Sequence, residues 1–211
     1  MRATRLYLIR HGQVVGHDEY RYNGHSDVDI TAIGVEQMNT LASYLATAPI
    51  KAVYSSDLQR AVKGGRMIGR MLGLDPVMRT ALREIHLGRW EGLTRQEAAE
   101  MYPEEADFSF KDLATGRVKG GENLIDLRAR VIPALNAIIE DHRNECVCVL
   151  AHGGVNRVVL TEAMGLPIEN FFRIEQDYGC LNVIDYFEDG LPVVKLVNGG
   201  PNQELRPTVV Y

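Results

Sequence analysis

This 211-residue sequence predicts an α/β fold: a mostly parallel central sheet covered on both faces, with an antiparallel hairpin at one edge. Three observations carry that reading. Runs dense in strand formers, 5–9, 52–54 and 146–151, are apolar on both faces, as strands sandwiched between two helical layers must be. Segments of helical period alternate with them. Near the end, Glu188-Asp189-Gly190 separates the apolar runs 181–187 and 191–197, and Asp-Gly between such runs is the strongest short hairpin signal.

The elements follow in order. After the first strand, Met38, Leu41, Ala42 and Leu45 recur on one face of a helix whose N-cap is Thr31. Ala61, Ile68, Met71 and Leu72 mark a second helix, with Ser56 as its N-cap and Gly73 ending it in a left-handed turn. A third helix after Gly120-Gly121 carries the stripe Leu124, Leu127, Val131, Leu135, Ile138 and Ile139. Pro133 within it predicts a kink or two abutting helices, and His142 falls at its polar, solvated end. The unpatterned stretch 102–121, with Phe108, Phe110, Arg117 and Lys119, reads either as a lid inserted into the domain or as a passive surface excursion. The tail 199–211, with Pro201 and Pro207, reads as irregular. The whole, 1–211, is expected to form one domain.

Composition sets limits on function. With 45% hydrophobic and 24% charged residues and a net charge of -5, the chain offers no basis for nucleic-acid or membrane binding. It lacks an apolar run of membrane-spanning length and enters its first strand after four residues, so it is expected to be cytoplasmic. Cys146, Cys148 and Cys180 have neither zinc spacing nor a disulfide framework and are expected to be buried, reduced thiols. None of the six histidines is in a metal-binding spacing, and no Gly-x-Ser-x-Gly elbow, Walker loop or dinucleotide fingerprint is present.

What remains is a repeated local pattern. His11 in LYLIRHGQ and His152 in VCVLAHGGVNR each end an apolar strand and are followed by glycine. In open α/β sheets that edge is where ligands bind, and glycine lets the backbone at Gly12 and Gly153 approach an anion closely. Side by side, the strands bring Arg10-His11-Gly12, the segment 55–60 ending in Arg60, and His152-Gly153-Gly154 to one edge. Two guanidiniums, Arg10 and Arg60, can present paired N–H donors to phosphate oxygens. Of two imidazoles, one can attack phosphorus while the other holds an oxygen. Glu84, hemmed by Leu82, Ile85, Leu87 and Trp90, is the best candidate to give the leaving oxygen its proton, because an apolar setting can keep a carboxyl protonated at neutral pH. Taken singly, each of these residues has an ordinary structural explanation; together, after strands of the right kind, they point to phosphoryl chemistry.

With those residues in hand, the chain resembles the histidine phosphatase superfamily, the group of cofactor-dependent phosphoglycerate mutases and their phosphatase relatives. LYLIRHGQ, RYNGHSDVDITAIGVEQ, YSSDLQRA, LREIHLGRWEGLT, GGENLIDLRARV and VLAHGGVNR occur in the family's order, with Arg21, Gly24, Asp27, Thr31 and Gly34 in register. The resemblance implies a phosphoglycerate mutase-like three-layer α/β/α sandwich. It implies that His11 is transiently phosphorylated, that Arg10, Arg60 and His152 hold the phosphoryl oxygens, and that Glu84 is the proton donor, with no metal or organic cofactor and a small phosphate ester as partner. GRWEGLT is similar to phosphatase members and, with the ending around Tyr178, to α-ribazole phosphatase and the broad-specificity phosphatases. A cofactor-dependent mutase and a non-catalytic phosphate-binding module are the competing readings.

Two departures stand out. Where the family often has asparagine, this chain has His17, which either replaces that donor or leaves the pocket. After Arg60 comes Gly64-Gly65, which weakens a helix by about 1 kcal/mol per glycine unless another element packs closely there. Substrate choice is expected to rest on His17, Arg21, Tyr22 and Asn23 and on the 102–121 stretch.

Overall fold

Six strands form the central sheet in the order β3-β2-β4-β1-β5-β6. The computed structural model describes residues 3–200. The strands are β1 (Ala3–Arg10), β2 (Ile50–Ser55), β3 (Val77–Met78), β4 (Cys146–Ala151), β5 (Leu181–Phe187) and β6 (Pro192–Gly199). β3, β2, β4 and β1 run parallel, and β5 and β6 close one edge as the antiparallel hairpin the Asp-Gly signal predicts. The last expected strand extends two residues further, to Gly199, and residues 201–211 of the expected irregular tail lie outside the described residues.

Side-chain alternation along β1 explains the layers. Leu6 and Leu8 face one core with Val147 and Val149, beneath α4 (Leu124–Asp141) and α5 (Gly153–Ala163). Tyr7 and Ile9 face the other with Cys148 and Leu150, beneath α1 (Ala32–Leu45) and α2 (Gln59–Leu72). The period of two therefore gives a sheet apolar on both sides, and each fully buried leucine contributes roughly 1.5–3 kcal/mol. A short helix, α3 (Arg95–Met101), starts with a Thr94/Glu97 capping box and sits over a small outlying cluster around Trp90.

Several local expectations hold. The Thr31 hydroxyl caps α1 by accepting from Gly34 N at 3.0 Å, Gly73 ends α2 at φ 69°, and the α4 stripe is buried throughout. Others are corrected. The N-cap of α2 is Leu58, and the Ser56 hydroxyl accepts from Leu58 N instead of capping the helix. Met71 points outward, and the face of α2 that meets the sheet is made of Ala61, Gly64, Gly65, Ile68 and Gly69. The glycines there are explained by close packing: a Cβ on Gly64 would lie 2.5 Å from Leu150 Cδ2, and one on Gly69 would lie 2.4 Å from the Leu74 carbonyl oxygen. α4 runs through Pro133 as one helix, so of the two alternatives the pair of abutting helices is not formed. His142 is not a solvated end: its Nδ1 meets Glu145 at 3.0 Å and its Nε2 meets the Tyr54 hydroxyl at 3.1 Å. Cys148 and Cys180 are buried and Cys146 only partly so. All three are free, and burial pushes their thiols up, Cys148 to about 12 and Cys180 to about 11.

The 102–121 stretch is not featureless. Short 3-10 turns at Pro103–Glu105 and Phe110–Ala114 order it, the second opened by a Ser109/Asp112 capping box, and Leu113 and Val118 anchor it as buried side chains.

Candidate active site

Strand register creates the site. β1 pairs with β4 up to Arg10 opposite Ala151, so His11 and His152, each the next residue, leave the sheet side by side with ring centroids 5.1 Å apart. β2 ends beside them, with Ser55 opposite Leu150, and passes through 56–58 into α2, whose first turn carries Arg60.

The two imidazoles are both buried but differently held. His11 Nδ1 lies 2.8 Å from the Gly12 carbonyl oxygen. A carbonyl can only accept, so Nδ1 carries the proton and Nε2 keeps its lone pair. Burial first, and then the Arg10 and Arg60 charges, push the ring's pKa well below its ordinary value, so His11 is neutral at pH 7. His152 is fully buried at the N-cap of α5, and neither of its ring nitrogens has a hydrogen-bond partner. Burial, then Arg60, His11 and Arg10, lower its pKa as well. A buried polar group without a partner costs about 1–3 kcal/mol, so a ring in this state gains from any donor or acceptor that reaches it.

Both guanidiniums are held by carbonyls instead of carboxylates. Arg60 is 1% exposed and donates from Nη1 to Ser26 O at 2.7 Å and from Nη2 to Gly24 O at 2.6 Å. Arg10 donates from Nη1 to Gln176 O at 2.5 Å, stacks 3.9 Å over the Tyr178 ring, and leaves its buried Nε unpartnered. Carbonyl oxygens orient a guanidinium without cancelling its charge, so the floor of the cleft stays cationic. Beneath Arg10, Gln176 and Asn182 exchange side-chain hydrogen bonds of 2.8 Å, and the Asn182 amide donates to Leu8 O, tying the 174–180 connection to β1.

Glu84 faces this floor. Its carboxylate accepts from Ile85 N at 2.9 Å and Gly154 N at 3.0 Å, and its carbonyl accepts from His25 Nε2 and from Arg130, which also grips Ala81 and Arg83. The apolar neighbours Leu82, Ile85, Leu87 and Trp90 are buried as the sequence suggests, but the half-buried carboxylate itself is gripped by backbone amides. The cleft has a volume of about 290 Å³ and includes Arg10, His11, Arg60, Glu84 and Tyr178 in its lining. A larger one, about 420 Å³, opens at the opposite end of the sheet near Thr4, Asn144 and Phe187 and holds no histidine or comparable cation cluster.

The remaining candidates divide. Arg21, Tyr22 and Asn23 line the cleft, although Arg21 is engaged by Glu19 and Glu97. His17 does not: it is exposed in a 3-10 turn flanked by left-handed Gly16 and Tyr20, which carries it away from the site. Gly12 and Gly153 act through packing instead of lining the cleft. A Cβ on Gly12 would stand 2.4 Å from Gly34 O, and one on Gly153 would stand 3.4 Å from Arg10 Nε. It is Gly154 whose amide is used, by Glu84. Arg157 in the cleft wall was missed, with its Nε donating to Ile174 O at 2.6 Å. Its signal was present: four residues after Gly153 on a helix, it shares that glycine's face. Phe171 and Phe172 gave no such signal, coming from a connection without period. Among the described residues, no group of three or more His, Cys, Asp or Glu could hold a metal ion, and no helix is long and apolar enough to cross a membrane.

A neutral imidazole with a free Nε2, a second imidazole without partners, and two uncancelled guanidiniums around one small cleft can receive a tetrahedral dianion. The chain belongs to the histidine phosphatase superfamily (branch 1), whose model matches residues 6–199. It is 35% identical over 196 residues to a Mycobacterium tuberculosis protein described as bifunctional, covering 92% of this chain but only 54% of that relative, so the chain spans about half of that protein's length. It is 32% identical over 178 residues to a glucosyl-3-phosphoglycerate phosphatase of Mycolicibacterium vanbaalenii, covering 81% of this chain and 79% of that one. Among solved structures, an α-ribazole phosphatase from Shigella flexneri superposes with a TM-score of 0.86 at 25% identity, covering 93% and 96% of the two chains. A mycobacterial glucosyl-3-phosphoglycerate phosphatase in complex with VO3 superposes with a TM-score of 0.84 at 26% identity, covering 94% and 100%.

Proposed function

We propose that this chain is a phosphomonoesterase that hydrolyses a small phosphorylated metabolite through a phosphohistidine intermediate on His11. The observation that carries the reading is the Gly12 carbonyl on His11 Nδ1, which leaves the lone pair on Nε2 of a ring that lines the cleft with Arg10 and Arg60, the buried His152 ring standing 5.1 Å from it outside the cleft lining. In the first step Nε2 attacks phosphorus, the P–O bond to the alcohol breaks, and Glu84 in its protonated form delivers that proton to the departing oxygen, becoming the carboxylate. Arg10, Arg60 and His152 hold the three non-bridging oxygens as charge builds on them, and removing one such donor typically costs 10²–10³ in rate. In the second step Glu84 takes a proton from water, the water oxygen attacks phosphorus, and the P–N bond breaks to release inorganic phosphate and return the neutral ring. The steps need no metal.

Relatives named as phosphatases, and related structures holding vanadate or inorganic phosphate, support hydrolysis as the outcome. Likeness to the Shigella enzyme makes α-ribazole 5′-phosphate the first substrate to assay. The test is rapid quench with a phosphorylated substrate, followed by mass spectrometry under basic conditions. The expected result is one phosphoryl group on the peptide carrying His11, together with steady release of phosphate. Turnover with no phosphopeptide at His11 would overturn the mechanism. Transfer between 2- and 3-phosphoglycerate without net release would identify a mutase, and phosphate binding with neither result would leave a binding module.

A further inference from the structure

The cleft has two unlike halves, and only the floor is accounted for by phosphate. Above it, side chains from four separate segments build a collar of rings. Tyr22 stacks on buried Trp90 with centroids 5.2 Å apart and meets Phe110 edge-on at 5.5 Å. Phe110 in turn lies 5.5 Å from Phe172, which meets Phe171 at 4.8 Å. The run thus goes from the protein interior to the mouth, where Phe110 and Phe172 remain 41% and 47% exposed.

Two adjacent phenyl rings left in water at the entrance of a site form an apolar face that gains from being covered. The charged groups of the same wall are already engaged. Arg21 is paired with Glu19 and Glu97 and donates to Gly92 O, and Arg157 donates to Ile174 O. A polyhydroxylated alcohol placed between Phe110 and Phe172 would bury hydroxyls against ring carbons, at the cost of their hydration. A flat apolar group would instead extend the series of ring contacts.

Resting on the phosphomonoesterase reading, we infer that the alcohol portion of the substrate carries an aromatic ring, or a comparably flat apolar group, seated between Phe110 and Phe172. Esters of primary alcohols of similar basicity separate this from leaving-group effects: 3-phenylpropyl, propyl and glycerol 1-phosphate. The expected kcat/KM for the phenylpropyl ester exceeds both others by at least roughly tenfold, a ratio that one well-placed aromatic contact supplies. Phe110→Ala and Phe172→Ala should each shrink that ratio severalfold. Calorimetry with 3-phenylpropylphosphonate and propylphosphonate, neither hydrolysable, should show the same preference. Equal hydrolysis of all three esters together with equal phosphonate binding overturns the collar and leaves the phosphatase reading intact. So does a preference that survives both substitutions. Tighter, Phe-dependent binding of the phenylpropyl phosphonate with no ester hydrolysed would sustain the collar and overturn the enzyme reading.

Discussion

His11 and His152 leave adjacent parallel strands at the same level, both buried and both with lowered pKa, yet their rings are held differently. The His11 ring is tied at Nδ1 to its neighbour's carbonyl, whereas both nitrogens of His152 are unpartnered. A tied ring has a fixed tautomer and a directed lone pair, which a nucleophile needs. An untied ring stores the cost of an unmade hydrogen bond and recovers it when an anion arrives. Near-identical sequence surroundings thus produce two different ring environments, because the Gly12 carbonyl meets the His11 ring and nothing comparable meets the His152 ring.

The largest test of that contrast is His11→Ala, which should lower turnover of p-nitrophenyl phosphate by at least roughly 10⁴-fold. Appreciable remaining activity would move the nucleophile elsewhere. His152→Ala should cost less, roughly 10²–10³ in kcat/KM, while still allowing slow phosphorylation of His11. If the two variants were equally inactive, the division of roles would fail.

A third comparison concerns the proton. A Cβ on Gly154 would come within 2.2 Å of Glu84 Oε1, so Gly154→Ala must displace the carboxylate without touching either histidine. About a tenfold loss on alkyl phosphates is expected, with little change on p-nitrophenyl phosphate, whose leaving group needs no proton. Equal losses on both would place Glu84 outside proton transfer.

The smallest effect is on stability. Each ring has a folded pKa below the unfolded value of about 6.5, so the unfolded chain binds protons first as pH falls. The neutral rings' full contribution is present above about pH 6.5 and is lost progressively as pH drops from there toward the depressed folded values. The unfolding free energy from urea titrations in phosphate-free buffer should fall between pH 7.5 and 5.5 by on the order of 1 kcal/mol per ring. His152→Gln should remove about half of that dependence, and an unaltered pH profile would show that the ring is not buried in its neutral form.

Much of this was legible before any coordinates. Arg10, His11, Arg60 and His152 end or follow recognisable strands, and strand ends in a covered parallel sheet converge on one edge, whereas Glu84 follows none and was legible only from its apolar neighbours. His17 was not placeable: six residues from His11 in sequence, it is turned outward by two left-handed residues, Gly16 and Tyr20. The solvated reading of His142 missed its partner because Tyr54 arrives from a different strand. Arg157, Phe171 and Phe172 enter the cleft from α5 and the connection after it, where their neighbours are decided by packing across the molecule.

By itself, then, the sequence determined the alternation that layers the sheet, the helix ends at Thr31 and Gly73, and the residue types gathered at one edge. These rest on local hydrogen bonds and on the two- and 3.6-residue periods, which neighbours along the chain suffice to set. Only the tertiary structure decided which imidazole has its tautomer fixed, that the guanidiniums meet carbonyls and not carboxylates, and that aromatic rings close over the floor. Those outcomes depend on contacts between segments far apart in the chain, where a shift of one register position would present different atoms.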